Sequence, residues 1–167
     1  MPDLVETVSE DARWDAAGIE ALAARACGAV LEELRLDPLA FEIGFLACDD
    51  ARIATLNADF RGKPAPTNVL SWPAEDLASE IEGDDPHRPD TSPGGPPAHL
   101  GDIAIAWETC AAEAADQGKP FEAHCLHLLV HGCLHLLGYD HISDKDAALM
   151  EGLERRILAK MGLPDPY

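Results

Sequence analysis

Apolar and polar residues alternate from Leu4 to Val8, the period of a short strand. From Asp15 to Leu36 the apolar positions recur at helical spacing, with Asp15 placed as an N-cap. FEIGFLAC, Phe41 to Cys48, predicts a second strand, after which Asp49 or Asp50 caps a helix through ARIATLNADF. The prolines of RGKPAPTNVLSWP impose an irregular loop before the strand-like TNVLSW. LGDIAIAW, from Leu100, reads as another strand. Helices follow near Glu108 to Gln117, from about Pro120, and from Ser143 or Asp144 to Lys160. Strands come mostly early and helices late, with no internal repeat, so the pattern predicts an α+β fold with helices against one face of a small mixed sheet. At 167 residues the chain is sized for a single domain with an ordinary core.

Residues 75–98 break this pattern. The stretch is rich in Pro and Gly (EGDDPHRPDTSPGGPP), and from Glu75 to Ala98 it carries seven acidic residues against one arginine. Such a composition buries too little apolar surface to order itself, which predicts a mobile acidic insert at 75–98 within the domain. The insert accounts for −6 of a formal net charge of −19, and the rest of the chain holds −13. A balance this acidic argues against a broad nucleic-acid-binding surface, which needs clustered Lys and Arg. Hydrophobic residues make up 47% of the chain, yet its longest uncharged apolar stretch, Cys125 to Leu137, is broken by histidines and too short to cross a bilayer. A soluble protein with no membrane partner is expected. The N-terminus MPDLVETVSEDARW lacks the basic start and apolar core of a secretory signal, so a cytoplasmic location is the default. Five cysteines without a C-x-x-C pair fit neither a disulfide framework nor a zinc ribbon and read as buried thiols.

The candidate chemistry lies in one run. On a helix His124, His127, His131 and His135 fall at offsets 0, 3, 7 and 11 and share one side. His131 and His135 have the i,i+4 spacing that lets two imidazoles reach one tetrahedral ion. Gly138 can then turn the chain back and bring His141 to the same point. His127 also steps at i,i+4, but one helix does not easily aim three turns at one ion, so His141 is preferred as the third ligand. Cys133 is offset from the histidine face. Three neutral imidazoles leave a fourth position open to water, the arrangement of a catalytic zinc. The expected fold is therefore α+β, a small mixed sheet packed with helices, with a zincin-like metal-site helix. It is not a zincin protease, because Gly132 stands where H-E-x-x-H places its glutamate. Asp140 is expected to orient an imidazole or, second to that, to act as the base.

HGCLHLLGYDH, together with LNADFRGKPAPTNVLSWP and LGDIAI, resembles the YbeY family of bacterial metal-dependent endoribonucleases, which act in ribosomal RNA maturation. The resemblance covers nearly all of the chain from about Phe41. It implies one zinc ion per chain on His131, His135 and His141, and a functional arginine at Arg61 in the N-x-x-x-R-G segment. A guanidinium beside a metal suits phosphodiester cleavage, since it can hold a phosphate bidentately and stabilise charge building in the transition state. Thr67, Asn68 and Ser71 fit the family's T-N-V-L-S strand as cleft residues, with turn or capping roles equally open for Thr67 and Asn68. Trp72 stands where the family usually has phenylalanine. Lys63 is a lesser phosphate-contact candidate, and His87 and His99 are assigned no role.

The resemblance implies single-stranded RNA, ribosomal RNA in particular, as substrate, with the 3′ end of small-subunit ribosomal RNA as the notable site. The −19 charge adds an expectation of weak, salt-sensitive binding to free RNA and of targeting by the small ribosomal subunit. Two other classes compete: a zinc amidase or peptidase, and a non-catalytic, metal-stabilised adaptor on the ribosome.

Overall fold

The computed structural model describes residues 4–91 and 94–167, so the first three residues of the N-terminal stretch and positions 92–93 of the acidic segment lie outside the described residues. Its sheet holds four strands: β1 (Val5–Ser9), β2 (Phe41–Cys48), β3 (Val69–Pro73) and β4 (Ala98–Ala106). They are ordered β1-β2-β4-β3. β1 pairs parallel with β2 and β2 parallel with β4, while β3 runs antiparallel along β4. The sheet is thus mixed and small, as the element order predicts. Pro73 sits in the edge strand β3, where a missing N–H is tolerated.

Among the described residues six α-helices accompany it: α1 (Ala12–Ala16), α2 (Ile19–Glu33), α3 (Asp50–Arg61), α4 (Trp107–Gln117), α5 (Phe121–Leu136) and α6 (Asp144–Lys160). The continuous helix expected from Asp15 to Leu36 is instead two. Asp11, not Asp15, caps α1 by accepting from the Arg13 amide, and Gly18 (φ 73°) turns the chain before α2. Helical spacing of apolar residues survives across this joint because both segments bury the same side, which is why the pattern alone missed the break. Trp14 of α1 is fully buried against the rings of Trp107 and Phe121, and its indole N–H donates to the Cys48 carbonyl at 2.8 Å, fixing α1 over the end of β2.

The main core lies on one face of the sheet. Ile43 and Phe45 of β2 and Ile103 and Ile105 of β4 pack there against Val30 of α2, Leu129 and Leu134 of α5, and Ile157 of α6. α5 is apolar on nearly all sides, the composition of a helix enclosed by other elements. The expectation that helices cover one face only is corrected by α3. Ile53 joins Cys48, Leu70, Ala104 and Ala106 in a second cluster, with Leu56 and Trp72 packed on it. The unbroken buried run Ile103 to Ala106 in β4 reflects this double cover, since a half-exposed strand would alternate.

Residues 75–90 contain no helix or strand, and several of them contact the rest of the fold. Leu77 is buried, and its carbonyl accepts from the His87 amide at 2.8 Å. The Gly83 amide donates to Asp146 of α6. Arg88 donates to the carbonyls of Leu34 and Arg35, both at 3.1 Å, and so caps the open end of α2. A composition average hides these two side chains, one apolar anchor and one cation. Among the described residues no helix is long and apolar enough to cross a membrane.

Candidate metal centre

α5 carries His131 and His135 on consecutive turns, and each imidazole is held from behind. His131 Nδ1 lies 2.7 Å from Oε1 of Glu154 on α6, and His135 Nδ1 lies 2.8 Å from the carbonyl oxygen of Tyr139. A carbonyl only accepts, so His135 carries its proton on Nδ1, and the Glu154 carboxylate sets the same tautomer on His131. Both Nε2 atoms are then bare lone pairs, and they face each other at 3.0 Å. Two lone pairs that close repel unless a cation lies against both. Nitrogens bound to one tetrahedral zinc stand about 3.3 Å apart, near the spacing found here.

The third imidazole arrives by a turn. Tyr139 and Gly138 amides close the end of α5 on the Leu134 and His135 carbonyls, and Gly138 adopts φ 98°. A Cβ at Gly138 would come within 2.8 Å of both the Leu77 carbonyl carbon and Pro86, so only glycine lets the chain reverse beneath the acidic segment. His141 then stands with its ring centroid 5.1 Å from that of His131 and 5.2 Å from that of His135. One ligand nitrogen from each of the three lies within 4.8 Å of the others. Burial and the neighbouring His131 and His141 push the His135 imidazole down to about 4, which keeps it neutral and able to ligate. The donor set fits a divalent ion of the zinc type.

His127 and His124, the other members of the row, do not join this group. His124 is buried and donates to Glu113 on α4 at 2.9 Å. His127 turns its Nε2 to 3.3 Å from Glu154 Oε1 and lies edge-on to the Tyr167 ring. Cys133 points to Cys27 on α2, and this contact with burial holds its thiol well above the ordinary range, so it offers no thiolate.

Glu154 is fully buried and works on three neighbours at once. Besides the two histidines, its Oε2 accepts from the Tyr167 hydroxyl at 2.5 Å. Burial alone would raise its carboxyl, but the contacts from His127, His131 and Tyr167 outweigh burial and hold it down at about 2. Asp140, expected to orient an imidazole, does not: its Oδ1 accepts from the Ile142 amide at 3.2 Å and shapes the turn around His141. The orienting roles fall to Glu154 and the Tyr139 carbonyl because they stand behind the rings, whereas Asp140 is on the cleft side.

The three histidines open into a cleft of about 680 Å³, also lined by Arg61, Asn68, Ser71, Trp72 and Asp140. Arg61 reaches it from the last turn of α3, where Gly62 in the left-handed conformation ends the helix. Asn57 holds the following loop by donating to the Ala65 carbonyl at 2.9 Å. Asn68 donates to Glu113 at 2.9 Å, so Glu113 links the cleft wall to His124. Thr67, Lys63, His87, His99 and the acidic segment do not line the cleft.

Residues 4–162 match the family described as Endoribonuclease YbeY. The chain belongs to that family. Proteins named Endoribonuclease YbeY from Dinoroseobacter shibae and Jannaschia sp. are 61% and 57% identical to it, each over 98% of this chain and over 90% and 99% of their own. The one from Cereibacter sphaeroides is 56% identical over the full length of both. The solution structure of TM1509 from Thermotoga maritima, 20% identical, shares the fold with a TM-score of 0.55 over 95% of this chain and 91% of that one. In this YbeY chain the sequence reading missed Glu154, Glu113 and Tyr167. Glu154 alone left a trace there: it shares the apolar stripe Met150, Leu153, Ile157, Leu158 at helical spacing, a charge where a core residue belongs.

Proposed function

We propose that this chain is a zinc-dependent endoribonuclease that cuts single-stranded RNA in the maturation and quality control of ribosomal RNA, notably at the 3′ end of small-subunit ribosomal RNA. The observation that carries the reading is the pair of bare Nε2 atoms on His131 and His135 facing each other at 3.0 Å, with His141 beside them and Arg61 in the same cleft. When bound by these three histidines, a zinc ion supplies Lewis acidity for a phosphoryl oxygen and acidifies water. Glu154 and the Tyr139 carbonyl keep His131 and His135 in the ligating tautomer. Arg61 binds the phosphate and stabilises its growing negative charge. Asp140, with one carboxylate oxygen turned to the Ile142 amide, keeps the other for a proton in the cleft. Family membership supports RNA as the substrate. We place the protein in the cytoplasm, with the small ribosomal subunit as its targeting partner: among the described residues Arg61 is the only Lys or Arg side chain lining the cleft, and the chain carries −19, which favours delivery by a partner over capture of free RNA.

The test is cleavage of an end-labelled single-stranded RNA by zinc-loaded protein beside Arg61→Ala and His135→Ala variants purified identically. The wild type cuts; Arg61→Ala loses about 10²- to 10³-fold in rate while keeping its metal, and His135→Ala loses both metal and rate. Equal activity in all three contradicts the assignment.

A further inference from the structure

The mouth of the metal cleft carries an aromatic surface that the metal chemistry does not use. Phe60, next to Arg61 on the last turn of α3, is 64% exposed. Its ring stands edge-on to Trp72 on β3, with centroids 5.3 Å apart and planes at 65°. Trp72 is anchored in turn, packed on the cluster of Ile53, Leu70 and Ala104. Phe60 is therefore a large apolar face braced from below and left open to solvent, inside the same cleft as His131, His135 and His141. A solitary exposed aromatic is ordinary, but one braced by a second ring beside Arg61 in the cleft is a built surface.

We propose that the Phe60–Trp72 pair is a stacking platform for one unpaired nucleobase of the RNA substrate, close to the phosphate held by Arg61. This rests on the single-stranded RNA reading above and adds how that substrate is recognised. Charge decides for a base against the other occupants of an apolar face. A chain of −19 with one arginine lining the cleft gains little from phosphate attraction, so its affinity for a polyanion has to come from contacts that carry no charge. Stacking on an aromatic face is such a contact, available to every base and absent for bases locked in a duplex. The platform thus supplies single-strand preference without sequence preference. Its position next to Arg61 ties the stacked base to the reacting phosphate along the strand.

The experiment uses the zinc-loaded full chain and a short single-stranded RNA in which one abasic nucleotide is moved along the sequence, reading both cleavage and fluorescence-anisotropy binding. Phe60 is exposed, so its replacement leaves the core intact; the variants are Phe60→Leu, which keeps apolar area without an aromatic face, and Phe60→Trp. For the wild type, an abasic nucleotide at one position relative to the cut weakens binding on the order of tenfold. Phe60→Leu weakens the intact RNA by a similar factor and loses the position dependence, while Phe60→Trp retains both. A Phe60→Leu variant that binds intact RNA as the wild type does, or keeps the abasic profile, overturns the platform. If the wild type binds with the abasic profile but does not cut, the platform stands and the nuclease reading fails. If it cuts with no position sensitive to base loss, the nuclease reading stands and the platform fails.

Discussion

Two bare imidazole Nε2 atoms held 3.0 Å apart, with the ring protons on the opposite nitrogens, define the chemistry at the scale of single residues. The geometry depends on groups that are not themselves ligands, above all Glu154. Glu154→Gln is expected to weaken zinc binding at least tenfold, read by competition with a chromophoric chelator, because His131 loses the negative partner that sets its tautomer and raises its basicity. Unchanged affinity would remove Glu154 from the account. Proton binding gives a second expectation. In metal-free protein His135 is held at about 4 against the ordinary 6.5, by burial first and then by His131 and His141. The unfolded chain therefore takes up that proton first, and stability is lost as pH falls from about 6.5 towards about 4. Thermal unfolding followed across this window shows the loss in the wild type and a flatter profile in His135→Gln; identical profiles contradict the assignment. The three-histidine cluster was legible in the sequence because i,i+4 spacing and a glycine turn are local geometry. Glu154 was not, since nothing local says which residue of α6 meets α5 at His131.

At the scale of elements, periodicity was a good guide wherever a segment's burial is set by one neighbour. β2 runs over the FEIGFLAC stretch marked by its alternation, and α6 spans the predicted range from a Ser143 cap. Periodicity failed where two elements share one buried side, as at Gly18, and where a sheet is covered twice, as over α3. The acidic segment shows a further limit: composition described its lack of helix and strand but not its attachment through Leu77 and Arg88. Leu77→Ala is expected to cost about 2 kcal/mol in urea unfolding and to speed proteolysis within residues 77–90. A loop cut as slowly as in the wild type would show that Leu77 does not hold it.

For the molecule as a whole, the fold brings two regions far apart in sequence, the end of α3 and the end of α5, to one cleft, with β3 as its wall. The sheet order explains this: β3 pairs with β4 at the edge where α5 crosses, so Arg61, Trp72 and the histidines meet although 80 residues separate Arg61 from His141. On the proposed reading, cleft and net charge act together: a chain carrying −19 would meet RNA through a metal, Arg61 and a base-stacking face instead of a basic surface. The central claim, that the ion on His131, His135 and His141 is the one that cuts RNA, is tested most directly by titrating zinc into metal-stripped protein. Bound metal and cleavage of single-stranded RNA are read on the same aliquots. Cleavage is expected to rise in step with bound zinc and to level off at one ion per chain. Cleavage that persists in the stripped protein, or that appears only beyond the first equivalent, would contradict it.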